Sequence, residues 1–244
     1  MRLLIGIDDT DNLESRGTGY RARCLGARLS QQGLGQLRGV TRHQLLVDDA
    51  IPFTSHNSAL CIDLHDAGSL EQIVACCREF LLAESAPGSD AGLCIADWDV
   101  MEPTSEDYGR RAQREVLNQS IARDQARDWG LLLEGLTGDH GGIIGALAAV
   151  TLRRGGNDGR FVWLEKIREL DGALTAARLL DLTGIDIIRT LDGERPAASE
   201  SVCIDPWPRP VLIDGQAVLL VERTTESGTD HDWQLVAREI IRRY

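Results

Sequence analysis

Apolar and polar positions switch between two periods along this chain, and the switches mark out its elements. Residues 3–7 form a short apolar run with β-branched members, long enough for one strand in the middle of a sheet. Residues 21–32 alternate charge with Ala, Leu and Cys at helical spacing, and Gly33 can end that helix. A strand is predicted over 37–47, interrupted by Arg42, His43 and Gln44 as its exposed face, with Arg42 and His43 alternatively pointing into a cleft. After a loop at 48–57 come a strand at 59–64, an amphipathic helix at 69–83 with Ser69 as its cap, and a strand at 92–96. That β-α-β succession predicts a ferredoxin-like unit. The stretch 86–90 reads as a plain surface loop.

The second half is more polar at first. Helices are predicted over 105–117 and 120–129, with Tyr108, Arg110, Arg111 and Arg114 as a basic cluster that is either a solvated face or a substrate surface. Residues 143–150 are an Ala- and Leu-rich helix preceded by glycines. Strands follow at 161–164 and 185–188, with a short helix at 174–180 between them. A small β tail spans 202–204 and 211–221, where Asp214-Gly215 is a two-residue hairpin signal. A closing helix is expected over 233–244.

Charge and cysteine usage narrow the classes. The formal net charge is −12, which argues against a broad nucleic-acid footprint built from clustered Lys and Arg. It leaves open a nucleotide held through a metal ion. The six cysteines form no Cys-x-x-Cys pair, and no signal peptide or long apolar span is present. Free thiols in a reducing cytosol, and a cytoplasmic protein away from the membrane, are the expectation. Nothing in the sequence sets the oligomeric state.

The candidate chemistry sits where the first strand ends. Asp8, Asp9, Thr10 and Asp11 follow the apolar run directly, and open α/β sheets bind ligands at such strand ends. Oxygen-only donors suit Mg²⁺, which takes one or two carboxylates plus substrate phosphates, so Asp8, Asp9 and Asp11 are the candidate metal ligands. Gly17, Thr18 and Gly19 stand before the first helix, where backbone N–H groups can approach an anion. Gly141, Gly142 and Gly145 stand before or at the start of the Ala-rich helix, and serve either as a second anion site or as points of close helix packing. His56 and His140 flank these segments as phosphate contacts, acid–base groups or ordinary loop histidines. The P-loop, the Gly-x-Gly-x-x-Gly fingerprint and the protein-kinase catalytic loop are all absent.

These motifs resemble the N-terminal catalytic domain of the TiaS family, the tRNA-isoleucine 2-agmatinylcytidine synthetases. That family opens on Gly-Ile-Asp-Asp-Thr-Asp, intact here at 6–11, followed by Thr-Thr-Tyr, here Thr18-Gly19-Tyr20. Its Thr-Arg-Gly-Asn-Gly-Ala segment corresponds to Thr54-Ser55-His56-Asn57-Ser58-Ala59, and its Ile-Gly-Ala-Leu-Ala-Ala segment recurs at 144–149. The matches come in the family's order and cover about the first two-thirds of the chain.

The resemblance implies an α/β (α+β) fold in three parts. Residues 1–35 and 137–200 would form a kinase-like nucleotide-binding domain. Residues 36–136 would be a ferredoxin-like insertion with a helical region, and 201–244 a C-terminal hairpin and helix. It implies ATP and Mg²⁺ as cofactors, and Thr18, Asp8 and His56 as catalytic residues. Asp9, Thr10, Gly17, Gly19, Asn57, Gly141, Gly142 and Gly145 would contact the nucleotide. In the family the threonine matching Thr18 is phosphorylated; Gly19 replaces the second threonine of that pair. The acceptor would be a small molecule or RNA. The family's catalytic part is followed by an OB-fold domain and a zinc ribbon whose paired cysteines have no counterpart here, so the isolated chain is expected to bind bulk tRNA weakly. Three readings follow: an ATP- and Mg²⁺-dependent phosphotransferase or ligase-like enzyme, a tRNA cytidine-modifying enzyme acting with a partner, or a non-catalytic nucleotide-binding protein.

Overall fold

The apolar run at the N-terminus is a strand, β1 (Leu3–Asp8), and it lies in the interior of a sheet. In this computed structural model, which describes residues 1–51, 57–205, 207–225 and 229–244, the chain divides into two units, Met1–Gly155 and Gly156–Tyr244.

In the first unit β1 is followed by α1 (Thr18–Gln31), β2 (Gln36–Gln44), β3 (Ser58–His65), α2 (Leu70–Glu84) and β4 (Gly92–Asp97). Strand β1 pairs antiparallel with β3 on one side and β4 on the other, and β2 pairs antiparallel with β3. The order β4-β1-β3-β2 with crossovers α1 and α2 is the ferredoxin-like β-α-β-β-α-β arrangement. It therefore begins at β1 and cannot be a separable insertion over 36–136, because β1 supplies the strand between β3 and β4. The chain divides at Gly155/Gly156 instead.

Then come α3 (Glu106–Ala112), α4 (Gln119–Asp128), β5 (Leu132–Gly135) and α5 (Ile143–Gly155). β5 adds antiparallel to β4. Its four residues carry too little alternation to stand out in the sequence.

Both faces of this sheet are covered. α1 packs on β2 and β3, with Gly26 against Leu37 and Ile62, and α2 packs beside α1. On the other face Leu4, Cys61, Cys94 and Ala96 share a core with Ala146, Leu147 and Val150 of α5. Burial on both faces explains why β1 reads as a continuous apolar run rather than an alternating one. Gly6 is the point of closest approach: a methyl there would overlap the carbonyl of Ala146. Ser69 caps α2 as expected, its side chain accepting from the Gln72 N–H.

One ion network is sealed under α5. Asp63, 2% exposed, accepts from Arg2 Nε and Nη2 at 2.9 and 2.8 Å and from Arg153 Nη2 at 2.6 Å. Burial works against its carboxylate charge, but the Arg153 cation, the His65 hydrogen bond and Arg2 outweigh it and hold the pKa well below the usual range. Arg2 and Arg154 both lie over the ring of Trp98.

The second unit holds β6 (Arg160–Trp163), β7 (Ala173–Thr175), α6 (Ala176–Leu182), β8 (Ile187–Arg189), β9 (Ser201–Cys203), β10 (Val211–Ile213), β11 (Gln216–Arg223), β12 (Trp233–Leu235) and α7 (Arg238–Ile241). The predicted hairpin is present: Ile213 pairs with Gln216, and Asp214 and Gly215 both have positive φ, 51° and 76°, as a type I′ turn requires. The closing helix is shorter than expected. Residues 233–235 are drawn into a strand that pairs with β11 and β9, because Trp233 is fully buried in the β core with Val202, Leu219 and Val221. Among the described residues no helix is long and apolar enough to cross a membrane.

Candidate active site

The C-terminal end of β1 turns sharply. Asp9 sits in the left-handed region at φ 49°, a conformation aspartate tolerates better than most residues. The turn buries Thr10 completely, and its carbonyl accepts from the Ala86 N–H at 2.9 Å. The stretch 86–90 is therefore part of the site wall rather than a plain surface loop. Its Asp90 accepts from the Asp139 N–H at 2.7 Å, and the Ser89 carbonyl accepts from Thr137 Oγ1 at 2.7 Å.

Thr10, Asp11 and Thr18 form one hydrogen-bonded cluster. Thr18 Oγ1 donates to Asp11 Oδ1 at 2.6 Å and accepts from Thr10 Oγ1 at 3.0 Å and from the Thr10 N–H at 3.3 Å. Thr18 is only 6% exposed. It is not the cap of α1: that position belongs to Gly17, which has no side chain to make the bond. The threonine hydroxyl is turned back to the strand end instead. Among the described residues the N–H groups of Gly17, Thr18 and Gly19 have no hydrogen-bond partner, as expected at a helix start.

The carboxylates repel one another. Burial, then the charges of Asp9 and Asp11, push the Asp8 pKa well above its ordinary value. Asp9 is pushed up to about 6 by burial and by Asp90, Asp11 and Asp139. Asp90 and Asp139 carried no signal in the sequence; only the fold brings the 86–90 and 137–142 segments to the end of β1. The two neighbours Arg42 and His43 separate. His43 is fully buried, its Nε2 2.8 Å from Thr41 Oγ1. Arg42 donates to Ser58 Oγ at 2.9 Å and feels the charge of Asp11, which puts a cation beside the Thr18 cluster.

The three acids expected as metal ligands are not gathered into a cage. Among the described residues no group of three or more His, Cys, Asp or Glu is placed to hold a metal ion, and Asp11 is turned to Thr18. The donor set still fits Mg²⁺ through Asp8 and Asp9: burial first and repulsion second disfavour their charged forms, a divalent cation offsets both, and this ion needs only one or two protein carboxylates.

In the second glycine cluster Gly142 and Gly145 serve packing. A methyl on Gly142 would overlap the backbone of Asp90 and Gly92, and one on Gly145 would overlap the Asp8 carboxylate. The Gly141 N–H is taken by Asp139 Oδ1 at 2.8 Å and the Gly142 N–H by the Asp90 carbonyl at 2.9 Å. Neither donor faces an open anion site, whereas Gly145 lets α5 approach Asp8. Asn57 is spent on its own loop: Nδ2 donates to the Leu46 carbonyl at 2.6 Å, and its carbonyl accepts from the Leu45 N–H at 2.9 Å. His56 lies outside the described residues. His140, at φ 72°, packs on Gly135.

A ferredoxin-like sheet with an acid- and threonine-lined strand end defines an α/β domain built to present oxygen donors and a helix N-terminus together. No family model and no curated protein matches the chain. Solved structures do. Apo TiaS, an agmatidine synthetase of isoleucine tRNA, matches with a TM-score of 0.54 and 23% identity over 62% of this chain and 35% of that one. TiaS in complex with its tRNA and ATP gives 0.55 and 24% over 62% and 36%. A tRNA fluorescent labelling enzyme gives 0.55 and 23% over the same shares. The chain carries a TiaS-like domain, a likeness of fold that spans about a third of the length of those proteins.

Proposed function

We propose that this chain is an ATP- and Mg²⁺-dependent phosphotransferase or ligase-like enzyme working at the end of β1. The observation that carries the reading is the Thr18–Asp11 hydrogen bond, 2.6 Å long, set beside two carboxylates whose pKa values are raised by burial and by neighbouring acids. Asp8 and Asp9 hold the metal. The N–H groups of Gly17, Thr18 and Gly19, without partners among the described residues, receive phosphate oxygens at the positive end of α1. Arg42 adds a fixed positive charge on the β2 side. Mg²⁺-ATP supplies the activated phosphoryl group, and positioning with charge neutralisation does most of the catalytic work in such transfers.

Asp11 orients the Thr18 hydroxyl and is within reach to take its proton, the nucleophile–base geometry of covalent catalysis. Because Thr10 also bonds this hydroxyl and the side chain is buried, transfer to Thr18 requires the Thr10 contact to open. Calorimetry is the direct test. ATP should bind with Mg²⁺ and bind clearly more weakly to Asp8→Ala; equal binding by both proteins, or by neither, sinks the reading.

The TiaS-like fold favours one second reading, tRNA cytidine modification with RNA affinity supplied by a partner. With a net charge of −12, the chain alone should shift bulk tRNA only weakly at physiological salt. Submicromolar binding would promote this second reading over an acceptor that is a small molecule.

A further inference from the structure

A pocket of about 350 Å³ opens between α1 and α2, lined by Arg16, Tyr20, Arg21, Cys24, Phe80 and Glu84. It lies on the α2 side of α1 and starts at Arg16, the residue before the Gly17 cap. Its walls are fixed by Arg21, which is 9% exposed and spends its guanidinium on two carbonyls. Nε donates to the Glu84 carbonyl at 2.5 Å and Nη1 donates to the Arg16 carbonyl. That clamp ties the end of α2 to the segment before α1. Phe80, 6% exposed, supplies an apolar surface. The Arg16 guanidinium lies over the Tyr20 ring, 4.3 Å from its centroid, and Arg23 is 5.8 Å from the same ring. Among the described residues Arg16 is in no ion pair.

A planar cation stacked on an exposed ring is a platform for another flat π system, and every nucleobase presents one. The volume is within the range of small-molecule sites. The phosphate-receiving N–H groups proposed above begin one residue after Arg16. We infer that this pocket receives the base of the nucleotide whose phosphates meet the start of α1, an inference that rests on that reading of the site. Stacking rather than hydrogen bonding to the base edge holds the ligand, so ATP and GTP bind with similar affinity.

Cys24 gives a readout inside the pocket. It is half-buried, as is Cys203 in the second unit, while Cys61, Cys76, Cys77 and Cys94 are buried. Labelling by a maleimide, mapped by peptide mass spectrometry, therefore reports Cys24 with Cys203 as internal reference. Mg²⁺-ATP should slow labelling of Cys24 several-fold and leave Cys203 unchanged, whereas Mg²⁺-tripolyphosphate, which has no base, should protect neither. Tyr20→Ala and Arg16→Ala should weaken ATP binding about tenfold, the loss expected for one stacked base, with tripolyphosphate binding unchanged and Tyr20→Phe close to wild type. If ATP binds while Cys24 reacts at its free rate, or if tripolyphosphate protects Cys24 equally well, the base lies elsewhere and the inference is overturned while the active-site reading stands. If neither ATP nor tripolyphosphate binds, the active-site reading fails and the inference with it.

Discussion

The hydroxyl of Thr18 is bonded to the carboxylate of Asp11, not to the helix that Thr18 begins. Seven residues separate the two in sequence, and the turn at Asp9 together with the loop to Gly17 brings them to 2.6 Å. The role of Thr18 is thus set by the strand end, and substitutions there report on chemistry more than on helix capping.

Three substitutions separate the two roles. Thr18→Ser keeps the hydroxyl and should keep turnover. Thr18→Asn, which would serve well as a cap, should lose turnover while remaining folded. Thr18→Ala should lose turnover and about 1–2 kcal/mol of stability, the net worth of the buried hydrogen bonds. Intact-protein mass spectrometry after incubation with Mg²⁺-ATP should find one added phosphate that Thr18→Ala lacks. Full ATP turnover by Thr18→Asn, with no phosphoprotein formed by the wild type, removes Thr18 from the mechanism.

Metal binding should be visible as stability. Asp9 sits in a field of like charge from Asp90, Asp11 and Asp139, and Asp8 in that of Asp9 and Asp11, so Mg²⁺ should raise the Tm of the wild type. Asp9→Asn removes one of the repelling charges and one metal ligand. It should melt higher than the wild type without the metal, by a few degrees for roughly 1 kcal/mol, and gain less when Mg²⁺ is added. Equal Mg²⁺ responses in thermal denaturation would detach Asp9 from the metal.

How much of this was legible in the sequence depends on distance along the chain. The strand 3–7 and the acids after it are local, and the pattern placed them correctly; the first helix begins at Thr18, three residues earlier than expected, so Thr18 and Gly19 lie in its first turn rather than before it. The two-residue hairpin at Asp214-Gly215 is local too. What could not be read was pairing across the chain. That β1 lies between β3 and β4 decides the domain boundary, and nothing in residues 3–8 names those partners. Asp90 and Asp139 look like ordinary loop acids until the fold sets them around Asp9. The glycines at 141–145 had two open readings, and only the approach of α5 to Asp8 and Gly92 favours packing.

The Asp63 network predicts an acid-sensitive fold. Its folded pKa is depressed, so its contribution is fully present above the unfolded value of about 3.9 and is lost as pH falls below that toward the folded value. Asp63→Asn removes the carboxylate that the buried Arg153 and Arg2 both bond and should cost about 3 kcal/mol at pH 7. It should also flatten the stability profile below pH 4. Urea melts of both proteins at pH 7, 4 and 3 measure this; parallel losses in the two proteins below pH 4 would show that another group governs acid unfolding.

Gly145→Ala separates the site from the fold that carries it. The new methyl would overlap the Asp8 carboxylate, while the α5 residues around it, Ala146, Leu147 and Ala149, keep their core contacts. Alanine is also the better helix former, by up to about 1 kcal/mol, which offsets part of the strain. The least disruptive response is for the Asp8 side chain to swing away, since it lies at the strand end and is held less firmly than the backbone of β1. Gly145→Ala should therefore stay folded, with a Tm within a few degrees of the wild type, and lose most of its Mg²⁺-dependent ATP binding. Gly6→Ala should behave in the opposite way. Its methyl meets the Ala146 carbonyl in the middle of α5, where no side chain can yield, so β1 and α5 must move apart and global stability must fall by about 1–3 kcal/mol or more. Normal ATP binding by Gly145→Ala would mean that the position of Asp8 against α5 does not govern the site.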